Sequence, residues 1–337
     1  MWTVGVAGLN KTLENRASDI RIWNEALPGK IELTLLRTRD ERSALLADFL
    51  HGLAGLASKV AVRESEGEPG EIPSIRLWES WTFHMVPEAK ELDPFLNLLS
   101  AASTGDAAGL PEAVGKMLEG VAGPSLVDIY VSTQCPNCPA VMDRLCRFPL
   151  ANPRIHVRAT DGMLFRERAL ENTVRAVPTV FLGDGQRFAG QVRPEEVAEG
   201  LIHGDPSLMS AEVFGRMIRA GDASGLAEMM LKRNRVFPGV VELLASDVFS
   251  LRLGAMVAME EVGEAAPRLA LDSLEDLWAR MEGAPVPAQG DMVYLIGEFG
   301  DAAWMGRLEK LLRREPSPEL REAVEEALSM LRQKTEE

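Results

Sequence analysis

The feature that most constrains this chain is the segment Leu126-Val-Asp-Ile-Tyr-Val-Ser-Thr-Gln-Cys-Pro-Asn-Cys-Pro-Ala-Val-Met142. It places a Cys-x-x-Cys directly after an apolar strand pattern and at the start of a helical one. The first-turn backbone N–H groups of such a helix and the positive end of its dipole favour an anion, so a thiolate at Cys135 is stabilised there. A thiol with a lowered pKa is reactive near neutral pH. Cys138, one turn on, is close enough to resolve a mixed disulfide. The pattern therefore predicts Cys135 as the exposed nucleophile and Cys138 as the more buried resolving thiol.

A second, independent signal lies forty residues downstream. Arg175-Ala-Val-Pro-Thr-Val-Phe-Leu182 sets a proline immediately before a strand. A cis Val177–Pro178 bond would present a backbone edge at Val177, Pro178 and Thr179, where an extended substrate docks by strand-type hydrogen bonds. Taken alone, Cys-x-x-Cys also fits half a zinc site. Zinc needs two further ligands, and the chain offers only Cys146 and four scattered histidines. The two signals together favour redox chemistry with no metal.

The chain has three cysteines in 337 residues, too few for a disulfide framework. Its net charge of −15, with no Lys/Arg stripe, argues against a nucleic-acid partner. No apolar run reaches the length of a membrane span, and residues 1–10 lack the basic region that opens a signal peptide. The expected location is the cytoplasm.

The length calls for two or three domains. Residues 25–105 read as strand Ile31–Arg37, helix Ser43–Leu56, strand Lys59–Arg63, a hairpin from Ser74–Leu77 and Trp81–Met85, and helix Glu88–Leu99. No cysteine falls in it. A connector over 106–120 follows, helical from Gly109 to Gly120. Residues 121–204 repeat the order about 95 residues on: strand Leu126–Val131, helix Pro136–Arg147, strand Arg154–Arg158, helix Met163–Asn172, strands Thr179–Leu182 and Gln186–Ala189, and helix Pro194–Leu201. The pattern predicts an α/β tandem repeat of one fold, with a central sheet covered on both faces.

After Gly204 the strand signals stop. Residues 205–337 read as short amphipathic helices broken by Gly, Pro and Asp. The phrases Arg252-Leu-Gly-Ala-Met-Val-Ala-Met-Glu-Glu-Val-Gly-Glu264 and Arg321-Glu-Ala-Val-Glu-Glu-Ala-Leu-Ser-Met-Leu331 resemble second helices of HEAT repeats, and Leu295-Ile-Gly-Glu-Phe-Gly-Asp301 resembles the turn between them. The resemblance implies an all-α helical-repeat domain with extended exposed surfaces.

Cys135-Pro-Asn-Cys-Pro139, Asn152-Pro-Arg-Ile155, Asp161-Gly162 with Phe165, and Val177-Pro-Thr-Val-Phe181 together resemble the tandem thioredoxin-like N-terminal domain of the alkyl hydroperoxide reductase flavoprotein. Archaeal protein disulfide oxidoreductases are a more distant likeness. The resemblance covers roughly residues 25–203 and is specific in the second fold, architectural in the first. It implies that the first thioredoxin-like fold has lost its cysteines while the second carries the working pair. It also implies a functional acid in the first fold, near Lys90 and Glu91. The family's flavin and NADH modules have no counterpart here, because no Gly-x-Gly-x-x-Gly fingerprint occurs; no cofactor is expected, and electrons must come from a separate reductase. The acceptor the resemblance implies is a protein disulfide such as that of a peroxiredoxin.

Thioredoxins also carry a proton-relaying acid six residues before the first cysteine. Asp128 lies seven before Cys135, so it is either that relay to Cys138 or a partly solvated strand-end carboxylate. Cys146 reads as packing or as a third thiol. His84 and His156 sit within strand patterns and read as structural. Lys232-Arg-Asn-Arg235 suits a helix C-terminus, and Gly183 and Gly185 a turn between strands. The leading expectation is a thiol–disulfide oxidoreductase working through Cys135 and Cys138. The alternative is a redox-switched interaction scaffold acting through the helical repeats.

Overall fold

A computed structural model describes residues 12–107, 109–183, 185–314 and 316–336. The N-terminal residues read for a signal peptide lie outside the described residues. The chain forms two compact units, residues 1–184 with 189–204, and residues 185–188 with 205–337.

The first unit opens with α1 (Ala17–Ala26), ahead of the boundary that the strand pattern predicts. Its Ile20 is fully buried, and the Trp23 indole donates to the Ser100 hydroxyl at 2.8 Å. Then come β1 (Ile31–Arg37), α2 (Arg42–Leu56), β2 (Val60–Glu66), β3 (Ser74–Leu77), β4 (Trp81–His84) and α3 (Leu92–Thr104). A linking helix α4 (Glu112–Glu119) leads to β5 (Ser125–Val131), α5 (Cys138–Leu145), α6 (Phe148–Ala151), β6 (Ile155–Asp161), α7 (Arg166–Glu171), β7 (Thr179–Leu182), β8 (Arg187–Ala189) and α8 (Pro194–His203). Gly204, at φ 65° in the left-handed region, closes α8.

The eight strands form one sheet in the order β2-β1-β3-β4-β6-β5-β7-β8. Each half repeats one arrangement, a parallel strand pair with an antiparallel neighbour, and the halves join where β4 pairs β6 in parallel. The register Trp81↔Val157 to His84↔Thr160 brings the C-terminal ends of β4, β5 and β6 to one edge. Parallel α/β sheets place their sites at such edges.

Strand alternation sorts the side chains. Trp81 and Phe83 face the main helical layer: the Trp81 indole donates to the Cys146 carbonyl at 2.7 Å, and Phe83 meets Phe95 of α3, which meets Phe49 of α2. The opposite face is not layered evenly. α7 crosses between β6 and β7, but β2 and β3 are joined by residues 67–73 with no helix. The expectation of helices on both faces of the whole sheet is corrected accordingly: the first half lacks its crossover helix.

Several helices are shorter than their patterns. Pro136 cannot donate into a helix and Cys135 N–H closes a turn on the Ser132 carbonyl, so α5 starts at Cys138. Pro149, in the first turn of α6, separates that helix from α5. The carboxylate of Asp161 accepts the Met163 and Leu164 N–H groups at 2.8 and 3.2 Å, which holds residues 161–165 as a turn before α7.

The second unit is helical: α9 (Ala211–Arg219), α10 (Ala223–Arg233), α11 (Pro238–Leu244), α12 (Phe249–Ala265), α13 (Pro267–Met281), α14 (Val286–Phe299), α15 (Ala302–Leu312) and α16 (Pro318–Glu336). The apolar periodicity indicates helices over Leu269–Met281 and Asp291–Phe299; α13 and α14 begin earlier, because Pro267 and Pro287 each sit in a first turn where no N–H is needed. α14 packs on α16 at Gly297, where a Cβ would stand 2.9 Å from the Ala327 Cα; only a bare Cα permits that approach. Residues 185–188, which include the first two residues of β8, count with this unit, and in it Arg187 and Asp222, both almost fully buried, pair at 2.8 Å. Among the described residues, no helix is long and apolar enough to cross a membrane.

Candidate active site

Cys135 and Cys138 lie at the C-terminal end of β5, a central strand between β6 and β7. The turn from Ser132 brings Cys135 back over the start of α5, and the Cys138 backbone N–H donates to Cys135 Sγ at 3.2 Å. A first-turn donor thus points at the sulfur that is to carry negative charge. Both thiols are unbonded. Cys135 is 7 % exposed and Cys138 fully buried, so the nucleophile is far less open than expected but remains the more accessible of the two. Burial, then the hydrogen bond with Cys135, pushes the Cys138 thiol well above its ordinary value.

On the far side of Cys135 stands the strand entry. The Val177–Pro178 peptide bond is cis, and the Val177 carbonyl lies 3.5 Å from Cys135 Sγ. The Pro178 carbonyl accepts the Gly190 N–H at 3.1 Å, and the buried Thr179 hydroxyl donates to the Ala176 carbonyl at 2.7 Å. Of the three residues expected to meet substrate, half-buried Val177 is the one beside the sulfur. Pro178 and Thr179 are turned to the protein's own hydrogen bonds.

The strand-end edge adds an acid. Because β4 ends beside β6, the chain leaving it runs through Met85–Lys90 to the start of α3 close to the dithiol. Glu91 sits at the helix N-cap and is fully buried, and neither carboxylate oxygen has a hydrogen-bond partner among the described residues. Burial and, secondarily, the charge of Asp161 push it up to about 7. The Glu91 charge in turn helps to raise Cys138. Lys90 is exposed, so Glu91 is the residue of that pair that faces the dithiol's surroundings. Glu88 and Asp161, both raised mainly by burial, extend the cluster.

Asp128 is elsewhere. Arg158, its register partner on β6, holds it in an ion pair, with Arg158 Nε donating to Asp128 Oδ1 at 2.9 Å. It shares its strand face with Tyr130, away from the face that meets α3 and the end of α5. The relay expected at Asp128 is thereby corrected: the carboxylate is committed to Arg158, and Glu91 is the acid that bears on Cys138. Cys146 is buried, its thiol pushed up to about 12 by burial, as a packing residue's would be.

The thioredoxin domain family matches residues 126–203. The alkyl hydroperoxide reductase F protein (AhpF) of Staphylococcus epidermidis is 27 % identical over 234 residues, 64 % of this chain and 43 % of that protein. The AhpF of Escherichia coli is 23 % identical over 240 residues, covering 67 % of this chain and 46 % of that one. The chain thus spans less than half the length of these relatives. Among solved structures, the N-terminal NTD_N/C domain of AhpF from Enterococcus faecalis superposes with a TM-score of 0.50 at 21 % identity, covering 56 % of this chain and 98 % of that domain. Residues 126–203 thus match the thioredoxin domain family, and the eight-stranded unit around them shares the fold of the AhpF NTD_N/C domain.

Proposed function

We propose that this chain is a thiol–disulfide oxidoreductase that passes two electrons from the Cys135–Cys138 dithiol to a protein disulfide. The observation that carries this reading is the Cys138 N–H aimed at Cys135 Sγ, 3.2 Å away, on a strand–turn–helix matched by the thioredoxin domain. The Cys135 thiolate attacks one sulfur of the target disulfide. A mixed disulfide forms, and the target's second sulfur leaves as a thiolate that takes a proton from solvent. The Cys138 thiol then gives its proton to the Glu91 carboxylate and attacks Cys135 Sγ. The mixed disulfide breaks, the target's remaining sulfur leaves as a thiolate that takes a proton from solvent, the target is released as a dithiol, and Cys135–Cys138 is left oxidised. A carboxyl held near neutrality suits this transfer, since it accepts and returns the proton at working pH. Val177 would align the extended target beside the sulfur.

The similarity to AhpF favours a peroxiredoxin disulfide as acceptor and a separate reductase as donor, in the cytoplasm. The domain division 25–105, 106–120, 121–204 and 205–337, with HEAT-like repeats in the last, belongs to the same reading. Repeated turnover of insulin disulfides with dithiothreitol as donor tests it: Cys135→Ser should abolish turnover, and a Cys138→Ser chain should accumulate a mixed disulfide with its target. A wild-type chain that is oxidised once and never turns over would overturn the reading.

One observation favours the scaffold reading. Phe249, Leu253 and Val257 lie at four-residue spacing on α12, 63, 48 and 37 % exposed, an apolar stripe of the kind that binds a partner helix. A redox-dependent change in partner affinity without turnover would mark that function.

A further inference from the structure

The sheet face turned away from the main helical layer holds a cavity of about 420 Å3 in the first unit. It opens where the first half of the sheet lacks a crossover helix. Its floor is set by period-two alternation: Arg76 of β3, Thr82 and His84 of β4, and His156 and Arg158 of β6 all point to this face, and Arg168 of α7 closes one side. Three guanidiniums, two imidazoles and a hydroxyl converge from four elements, and the size lies within the range of small-molecule sites.

The three arginines differ in what neutralises them. Arg158 is held by Asp128, and Arg76 reaches Glu71 at 3.3 Å on the exposed rim. Arg168 forms no ion pair among the described residues, and its buried Nε has no hydrogen-bond partner. The guanidinium bears on the Tyr130 hydroxyl, but a desolvated Nε donor left without a partner is costly unless something fills the site. The two other acids at the cavity do not meet this need: Glu71 is taken by Arg76 and the Glu68 N–H, and Glu79 is exposed. The field on the floor is positive as well. His84 is depressed to about 4 by burial first, and the repulsions of Arg168 and Arg158 each outweigh the attraction of Asp128. A neutral His84, whose Nδ1–H donates to the Pro73 carbonyl, keeps its other ring nitrogen as an acceptor, which meets a protonated oxygen of a bound oxyanion.

We propose that this cavity is a binding site for a small molecule bearing an oxyanion, a phosphate or a carboxylate, which Arg168 and Arg76 grip over the floor formed by Thr82, His84 and His156. Guanidiniums suit such groups because their planar donors match two oxygens at once. The site lies on the opposite sheet face from the Trp81–Cys146 layer, so it stands or falls independently of the dithiol chemistry.

The chain has four histidines, of which two, His84 and His156, line the cavity and two, His51 and His203, do not. Ring-proton NMR of the full chain at constant pH and ionic strength, titrated with inorganic phosphate and separately with citrate, reads the site directly. Saturable shifts confined to His84 and His156 are expected with at least one of the two anions, and the tighter binder identifies the oxyanion. Arg168→Gln and Arg76→Gln should each weaken the midpoint about tenfold or more, with insulin reduction unchanged. Two variants guard against misfolding of either one. No shift with either anion, equal shifts at all four histidines, or unaltered midpoints in both folded variants would overturn the proposal.

Discussion

The Cys138 backbone N–H lies 3.2 Å from Cys135 Sγ, while the Cys138 thiol itself is buried and pushed up. One residue thus stabilises its neighbour's thiolate through its main chain while keeping its own side chain protonated. Alkylation of the reduced chain at pH 7 should label Cys135 at least about tenfold faster than Cys138 or Cys146, since the thiolate is the reacting species. Peptide mass spectrometry after limited iodoacetamide treatment reads the order. Faster labelling of Cys138 would reverse the assigned roles.

Glu91→Gln removes the proton acceptor while keeping size and polarity. Resolution of the mixed disulfide should slow by about 10²-fold at pH 7, the usual worth of a positioned base. The step in the rate–pH profile near pH 7 should vanish with it. Lys90→Gln, at the exposed neighbour, should leave both unchanged. Stopped-flow measurement of the resolving step across pH 5–9 checks this, and an unaltered profile in Glu91→Gln would remove the acid from the mechanism.

The same carboxyl has a signature in stability. Its folded-state pKa of about 7 stands above the ordinary 4.5, so the folded protein binds the proton more tightly than the unfolded chain. Stability from this group is full below about pH 4.5 and is lost as pH rises through 7. Glu91→Gln should therefore match wild type at low pH and exceed it by about 3 kcal/mol above pH 7. Urea unfolding at pH 5 and pH 8 gives the comparison; a variant less stable at both pH values would mean that Glu91 is held ionised.

The local signals were legible because they live in short stretches. An apolar strand, Cys-x-x-Cys and Val177-Pro178-Thr179 each specify their own backbone, and the repeat emerges from their order. The β4–β6 pairing was not legible, since nothing in Trp81–His84 names a partner more than seventy residues away. That pairing brings Glu91 toward the dithiol, whereas Asp128 owes its arginine to the β5–β6 register, in which it stands opposite Arg158. The departure at Asp128 has a simple geometric cause. Successive strand residues point to opposite faces, so an acid seven residues before Cys135 faces the other way from one six before it. The crossover helix missing between β2 and β3, which opens the arginine-lined cavity, shows in the sequence only as the polar Glu/Gly/Pro stretch Glu64–Glu71.

In the helical unit, Arg187 and Asp222 pair at 2.8 Å with side chains 3 and 0 % exposed. Gly225 shapes that pair. A Cβ there would stand 2.5 Å from Asp222 Oδ1 and 2.7 Å from Arg187 Cζ, so Gly225→Ala should force the two groups apart although alanine is the better helix former. Asp222→Ala removes the carboxylate from a buried guanidinium that also pairs with Glu228, at 3.4 Å on the half-exposed rim. The expected loss is about 3–5 kcal/mol, the usual cost of breaking a buried pair by removing one partner. Replacing both partners, Arg187→Met with Asp222→Leu, removes the two desolvation costs along with the attraction and should restore most of the stability. Urea denaturation of the three variants separates the contributions. A double variant as unstable as Asp222→Ala would mean that the pair acts through packing shape, and its charges would then have no part in holding residues 185–188 to the helical unit.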